Sequence, residues 1–581
     1  VIVAARRRQR FAPVVVWAIV PATKSLKGRV SMQGLMQAQQ LTTAMLIRHA
    51  AINHPRREIV SRGADGSLIR SDWQTVERRA RHIAAGLADL GLRQGDRVAT
   101  LAWNRLPHLE LYYGVSGAGM VLHTVNPRLF PEQIRYIIDD GGARVLCVDP
   151  DLLAIVEPML GELPKIERVI VLSDHADMPK TGIPDPISYQ SLTTGPRAID
   201  AWPDIDENMA SALCYTSGTT GNPKGVLYSH RSTVLHAMSA LANDSMALGA
   251  ADSIFVITPL FHVNAWGIPY SAAMAGSKLV LPGSALDPVS LFELMRDEGV
   301  TFSLGVPTIW FAFLDHLERE RATEERQALK LDRIFTGGAA TPRSLIERFR
   351  GLLGVETMQA WGMTETSPVA TVCRPLAHHA DLPDAAQIDL RALQGRAVFG
   401  IELRIEDEDG QELPRDGEAA GLLKVRGPWV LSAYEGQPAG SALDADGWFD
   451  TGDVAKIDRD GFLQITDRAK DVIKSGGEWI SSIDLENAAV AHPKVAEAAV
   501  IGVAHPKWQE RPLMLVQLHP GEACTTHEIM AHLADKVARW WLPDDVIFVE
   551  DLPHTATGKL LKTELRKRHG DHFAAAAESL T

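Results

Sequence analysis

Short apolar runs recur along the chain, separated by longer stretches whose apolar positions return at helical spacing. Val98–Ala102, Val145–Val148, Val169–Leu172, Ile254–Ile257 and Leu279–Leu281 are examples of such runs. Continuous apolar runs of this length suit strands buried on both faces, and amphipathic spacers suit helices packed against them. The pattern predicts an α/β architecture with largely parallel sheets. No self-similarity at the roughly 20–50-residue period of solenoids and propellers is visible.

The texture changes further along. Arg374–Arg396, rich in Ala, Asp, His and Pro, reads as a connecting segment. From Ile401 short strand-like pieces are punctuated by Asp409-Gly410, Asp416-Gly417, Asp446-Gly447 and Asp460-Gly461. That density of turn signals predicts a compact β-rich subdomain. A smaller unit starts after Lys470. Ser482 is expected to cap a helix through Leu485 and Ala489 that ends before Pro493. Val495–Val503 reads as a strand, and Thr525 with Glu528 forms a capping box opening a helix through about Trp540. The expected division is residues 1–31 as a basic extension, 32–469 as a large N-terminal domain and 470–581 as a small α+β C-terminal domain.

Composition narrows the class. With 581 residues, 46% hydrophobic and 23% charged, the chain has the balance of a globular protein of three or four folding units, which leaves out disorder, collagen and coiled coil. The net charge of −13 argues against a nucleic-acid binder, which needs a basic face. Residues 1–31 hold seven basic side chains and no acid. Arg6–Arg10 followed by Val14–Val20 imitates a signal peptide, but the apolar run falls short of the ~20 residues that span a bilayer. An upstream-extended start, with Met32 or Met36 as the initiating residue, is the preferred expectation, and no transmembrane segment is expected. Cys147, Cys214, Cys373 and Cys524 lie far apart, which predicts neither disulfides nor a zinc site and suits a reducing, cytoplasmic location.

The chemistry concentrates in Tyr215-Thr-Ser-Gly-Thr-Thr-Gly-Asn-Pro-Lys-Gly-Val226. Small residues and hydroxyls leave backbone N–H groups and Oγ atoms free to wrap phosphate oxygens, with Lys224 adding positive charge. Pro223 stands where a Walker A loop needs glycine. A flexible linker is the plainer reading, but the segment runs straight into the apolar Val226-Leu227-Tyr228, which favours phosphate handling.

This segment resembles the signature of the adenylate-forming superfamily of acyl-CoA synthetases, luciferases and peptide-synthetase adenylation domains. Further motifs agree in type and order: Pro259-Leu-Phe-His-Val-Asn-Ala-Trp266, Gln359-Ala-Trp-Gly-Met-Thr-Glu-Thr366, Trp448-Phe-Asp-Thr-Gly-Asp453, Asp467-Arg-Ala-Lys-Asp-Val-Ile-Lys-Ser-Gly-Gly-Glu-Trp479 and Thr557-Gly-Lys559. The resemblance runs from about Met32 to Arg568, and the wording is most similar to bacterial medium- and long-chain fatty acyl-CoA synthetases. It implies two α/β subdomains plus a β-rich unit in the large domain, and a mobile small domain. It also implies ATP, Mg²⁺ and CoA as cofactor and substrates, with a small carboxylic acid as the partner substrate. A homodimer is the assembly carried forward.

The resemblance assigns roles residue by residue. Thr216 and Glu365 would hold Mg²⁺, and Lys559 would bridge the carboxylate and the α-phosphate. Ser217, Gly218, Thr219, Thr220 and Lys224 would wrap the phosphates, and Thr364 would donate to the α-phosphate. Trp361 would stack on adenine beside Gln359 and Ala360, with Gly338 allowing close backbone approach. Asp453 would take the ribose hydroxyls with Arg468 nearby, Lys470 would be the hinge, and Lys474 would reach the adenylate. On the acyl and CoA side stand His262, Val263, Asn264, Trp266, Ser475, Gly476, Gly477 and Trp479. Val306, Pro307, Ala339 and Met363 are candidates for an apolar pocket, and Trp508 for either CoA adenine or core. His378-His379 with Asp381 imitates a metal cluster without a spaced fourth ligand, and Trp540-Trp541 is expected to pack.

The activity implied is an ATP-dependent acyl-CoA synthetase acting on a medium- or long-chain fatty acid. A CoA ligase for a short substituted acid such as 3-methylmercaptopropionate, or for an aryl acid, is the nearest alternative. An enzyme loading a carrier-protein thiol is another, and a non-enzymatic binding protein is disfavoured by the full set of polar motif residues.

Overall fold

A computed structural model describes residues 34–173, 178–195, 197–216, 222–475, 478–505, 507–555 and 560–573. Ser217, Gly218, Thr219, Thr220, Gly476, Gly477 and Lys559, together with the basic extension, therefore lie outside the described residues.

Among the described residues the strands form four sheets. Two are largely parallel, as the apolar runs predict. In the first, Ile187–Ser188, Arg168–Val171, Val145–Val148, Arg97–Leu101, Val121–Thr124 and Ala210–Tyr215 lie side by side, and only Gly225–Ser229 at the edge runs antiparallel. The interior of the second is Glu356–Gly362, Arg333–Thr336, Phe302–Gly305, Ser253–Val256, Lys278–Leu281 and Glu58–Arg62, all parallel, with antiparallel strands at both edges. Strands such as Val145–Val148 and Ser253–Val256 are buried throughout, which is why their sequences do not alternate.

The helix Trp73–Asp89 shows how one covering element is specified. Asp72 caps it by accepting the Thr75 N–H at 2.7 Å, and Trp73, Val76, Ala80, Ile83 and Leu87 repeat at helical spacing on its buried face. It packs on Leu106–Ser116 at Gly114, where an added Cβ would sit 2.6 Å from the Ile83 side chain.

The β-rich unit is a four-stranded antiparallel sheet of Glu402–Glu406, Gly421–Arg426, Phe449–Ile457 and Leu463–Arg468. The glycines of its four Asp-Gly pairs have φ of +78°, +82°, +83° and +85°, the left-handed values that make glycine the favoured residue there. The last sheet carries Ile473–Ser475, Glu478–Ile480, Val495–His505, Gln509–Leu518 and Asp545–Phe548.

Four local expectations need correction. The cap of the helix Ser482–Val490 is Ser481, whose side chain accepts the Asp484 N–H, while Ser482 is the first helical residue. The capping box of Thr525 and Glu528 is present, but its helix stops at Ala534 because the backbone re-forms as a separate turn, Arg539–Trp541. Trp541 packs on the core there, whereas Trp540 is 44% exposed. The connecting segment after Arg374 is ordered, with a turn at Ala377–Asp381 and a helix at Asp384–Arg391.

Candidate active site

The second parallel sheet ends at a cavity of about 260 Å³. Four strands deliver their carboxyl ends to it: Ile257 to Pro259 after one, Gly305 and Val306 after the next, Gly337 and Gly338 after the third, Ala360 to Gly362 from the fourth. Crevices at the carboxyl ends of parallel strands are where open α/β sheets bind ligands, because the connecting loops diverge there. Gly338 has φ of +79°, and at Gly337 a Cβ would stand 2.8 Å from the Ala360 carbonyl and 3.1 Å from the Trp266 ring. Small residues at this edge keep the cavity open.

One wall is polar and carries the expected phosphate-handling residues. Thr216 and Lys224 close the base of the glycine-rich loop: the Thr216 N–H donates to the Lys224 carbonyl at 2.9 Å, and the Lys224 N–H donates to Thr216 Oγ1 at 3.1 Å. Glu365 is buried, and its Oε1 accepts the Tyr434 hydroxyl at 2.7 Å. The ring of the same tyrosine lies 4.8 Å from the Lys224 ammonium, so Tyr434 ties the carboxylate to the lysine. Burial first, and the Glu365 charge second, push the Tyr434 hydroxyl well above its ordinary pKa, which keeps it a donor. Thr364 also lines the cavity, and its carbonyl accepts from the Tyr228 hydroxyl at 2.7 Å.

Trp361 Nε1–H donates to Asp453 Oδ2 at 3.1 Å, and Arg468 Nε pairs with Asp453 Oδ1 at 2.8 Å. Trp361 and Arg468 line the cavity, and Asp453 is buried behind them. A buried carboxylate and a hydroxyl on one cavity wall, Glu365 and Thr216, form the all-oxygen donor set that suits a hard divalent cation.

The same cavity also has an apolar lining: Phe261, Val263, Trp266, Val306, Ile309, Met363 and Val369. Trp266 is held there by a left-handed turn in which Val263, Asn264, Ala265 and Trp266 have φ of 46°, 52°, 48° and 57°. Such a conformation costs roughly 1–2 kcal/mol per residue and persists only where surrounding contacts enforce it. Here Asn264 Oδ1 accepts the Tyr112 hydroxyl at 3.1 Å, and the Ala265 N–H donates to the Pro259 carbonyl at 3.1 Å. Asn104 secures the preceding loop, accepting the Leu260 N–H at 2.7 Å and donating to the Thr258 carbonyl at 2.9 Å.

The remaining candidates divide. His262 and Ala360 line the cavity. Asn264 turns into the core toward Tyr112 and Cys214, and Gln359 is buried in its strand, so neither side chain is in the cavity wall. Pro307 and Ala339 are likewise absent from the lining, unlike Val306 and Met363. Lys470 is exposed, Lys474 pairs with Glu408 at 3.4 Å, and its ammonium lies 5.8 Å from the Trp479 ring. Ser475 accepts from Arg511 at 3.3 Å within the C-terminal sheet. None of these four lines the cavity, because the C-terminal sheet holds its own strands together. Trp508 is 42% exposed under the Lys507 ammonium, not core.

Sequence reading missed Tyr434, Asn222 and Arg128. Arg128 lines the cavity with its guanidinium 5.8 Å from the Trp103 ring and 5.6 Å from the Phe261 ring, and burial lowers its pKa. No motif marks it. The pair of histidines gains Asp460: His378 Nε2 lies 3.0 Å and His379 Nε2 3.2 Å from Asp460 Oδ2. His379 Nδ1 accepts the Leu376 N–H, which leaves Nε2 to face Asp460, so both histidines clasp the loop that carries that carboxylate.

The comparisons with known proteins agree with this geometry. The AMP-binding enzyme family profile matches residues 47–435, and the AMP-binding enzyme C-terminal domain profile matches 484–559. The chain is 49% identical over 549 residues to a medium-chain fatty acid–CoA ligase of Ectopseudomonas oleovorans, covering 94% of this chain and 100% of that protein. It is also 49% identical over 544 residues to a 3-methylmercaptopropionyl-CoA ligase of Ruegeria pomeroyi, covering 93% and 99%. Among solved structures, ATP-bound MatB from Rhodopseudomonas palustris superposes with a TM-score of 0.76 at 26% identity, covering 91% of this chain and 99% of that one.

Proposed function

This chain belongs to the AMP-binding enzyme family, and on that footing we propose that it is an ATP-dependent acyl-CoA synthetase for medium- or long-chain fatty acids. The observation that carries the reading is the mixed lining of one cavity, polar at Thr216, Lys224, Glu365 and Arg468 and apolar at Phe261, Trp266, Val306 and Ile309. A fatty acid needs both: an apolar slot for the tail and a cationic, hydrogen-bonding wall where its carboxylate meets a triphosphate.

The carboxylate oxygen attacks the α-phosphorus of ATP, pyrophosphate leaves, and an acyl-adenylate forms. Attack brings two anions together, so preorganised positive charge lowers the barrier most. Lys224 supplies such charge at the loop, steadied by the Tyr434 ring. Lys559 is assigned to the carboxylate and α-phosphate, and Ser217, Gly218, Thr219 and Thr220 to the phosphate oxygens. Mg²⁺, held by Glu365 and Thr216, would add charge against those oxygens. Trp361, fixed by its bond to Asp453, presents a flat face for adenine, and Asp453 with Arg468 receives the ribose. In the second step the CoA thiol attacks the acyl carbon and AMP leaves. Rotation about Lys470 would withdraw Lys559 and bring in residues 475–477, whose glycines leave room for a thin pantetheine arm. We further place the enzyme in the cytoplasm as a homodimer. Its cysteines are free thiols, three of them buried, and no helix of the described residues is long and apolar enough to cross a membrane.

The equal identity to a 3-methylmercaptopropionyl-CoA ligase supports a second reading, in which the acid is short and substituted. One assay separates the two: acyl-CoA formed from ATP, CoA and each of a series of acids, followed by mass spectrometry. Preference for acids of eight or more carbons supports the fatty-acid reading. A maximum at the short thioether acid replaces it, and product on a carrier thiol but not on CoA rejects CoA ligation.

A further inference from the structure

The segment Asp467–Lys470 joins the four-stranded sheet to the C-terminal unit, and among the described residues two buried side-chain hydrogen bonds cross it, beside the exposed Lys474–Glu408 pair. Ser481 Oγ donates to the Thr466 carbonyl. The Ser482 N–H donates to Asp467 Oδ2 at 2.7 Å, while Asp467 Oδ1 accepts the Arg468 N–H at 2.7 Å. Both serines open the helix Ser482–Val490, so Asp467 sits at that helix's N-terminal end, where a carboxylate is favoured. Behind it Lys562 donates to Ser482 Oγ at 2.6 Å and pairs with Glu486 at 2.7 Å. Asp467 is 1% exposed, and its burial raises its pKa against the opposing charge of Lys562.

These partners lie on opposite sides of Lys470 in the chain. Thr466 and Asp467 belong to the strand Leu463–Arg468, whereas Ser481, Ser482, Glu486 and Lys562 belong to the unit that follows. The ion pair of Arg566 with Asp471 at 2.6 Å, by contrast, lies wholly beyond Lys470 and would travel with it. Turning the unit about Lys470 keeps the Lys562–Glu486 pair and breaks both seam bonds, exposing the Asp467 carboxylate. We propose that Asp467 is a positioning residue, a carboxylate latch that holds the C-terminal unit in the docked orientation and so sets the balance between the two half-reactions. This rests on the two-step reading above and assigns that site a control element outside its cavity.

Asp467→Asn tests it, since asparagine keeps the shape and one acceptor while losing the charge and the second acceptor. Two rates are compared with wild type: acid-dependent pyrophosphate exchange into ATP, and thioester formation from supplied acyl-AMP and CoA. The latch predicts a change of about tenfold in their ratio, with one of the two no slower than wild type. Ser481→Ala, which removes the other seam bond, shifts the ratio in the same direction. Tryptic cleavage in the Arg468–Lys470 segment provides a readout independent of activity and is expected to quicken about tenfold in Asp467→Asn. Equal loss in both half-reactions, an unchanged ratio, or unchanged cleavage would overturn the latch. Absence of exchange in the wild-type protein would instead reject the two-step reading, and the cleavage rate alone then decides for or against the latch.

Discussion

Tyr434→Phe removes one oxygen from the site and little else. The hydroxyl donates to Glu365 Oε1 at 2.7 Å, and the ring beneath the Lys224 ammonium stays in place. A hydrogen bond to a charged acceptor contributes about 1.5–3 kcal/mol, which corresponds to roughly 10- to 150-fold in an equilibrium constant. The cation–π contact, about 0.5–2 kcal/mol, is kept in phenylalanine and lost in leucine. Glu365 is buried, so without the tyrosine its carboxylate loses orientation and not merely a partner. Titrating Mg²⁺ in the pyrophosphate-exchange assay should therefore show half-saturation raised at least tenfold in Tyr434→Phe, with much of the rate regained at saturating metal. Tyr434→Leu should lose further rate that metal does not restore. Wild-type behaviour in Tyr434→Phe would refute the orienting role. Identical defects in the two variants would also refute it, because the hydroxyl and the ring then do not act separately.

Three further outcomes follow from the same geometry. Gly337→Ala places a methyl 2.8 Å from a strand carbonyl and 3.1 Å from the Trp266 ring, so KM for the acid should rise about tenfold with KM for ATP little changed; equal rises in both would count against an acyl-side position. Trp361→Phe keeps a ring but loses the N–H that Asp453 accepts at 3.1 Å, and KM for ATP should rise several-fold, or about 1 kcal/mol, with kcat nearly intact. Burial holds His108, His230 and His236 down to about 4, so each remains neutral in the fold and charges only in the unfolded chain between about pH 6.5 and 4. Their contribution is intact above pH 6.5 and is lost as pH falls toward 4, at up to ~1.4 kcal/mol per pH unit for each. The urea midpoint should drop between pH 7 and 5, and His108→Gln should flatten that slope; an unchanged slope contradicts the assignment.

The strands were legible because burial on both faces leaves no alternation to misread. Val145–Val148 is a strand in sequence and in structure with the same limits. Helix ends were less so. Thr525 and Glu528 mark a beginning, but the apolar Trp540-Trp541 pair prolongs the periodic pattern after the backbone has turned at Ala534. Ser481 and Ser482 can both cap, and the choice is made by groups remote in sequence: Asp467 takes the Ser482 N–H, and Lys562 takes its hydroxyl as acceptor. In the site, motif residues such as Thr216, Trp361, Glu365 and Arg468 meet at one cavity, because each motif ends a strand or opens a loop where three of the sheets come together. Tyr434 stayed invisible because it is 69 residues from Glu365, in a polar loop with no signature of its own. Asn264 and Gln359 misled for the opposite reason, since adjacency within a motif says nothing about which way a strand or a left-handed turn points each side chain.

The central claim is that this cavity joins a carboxylic acid to the α-phosphate of ATP before CoA takes part. Exchange of labelled pyrophosphate into ATP, without CoA and across acids of increasing chain length, measures that step alone. The account predicts exchange that depends on the acid, strengthens from short to medium chains, and collapses in Lys559→Ala while thioester formation from supplied acyl-AMP persists. No exchange with any acid, while CoA thioester still forms, would contradict it.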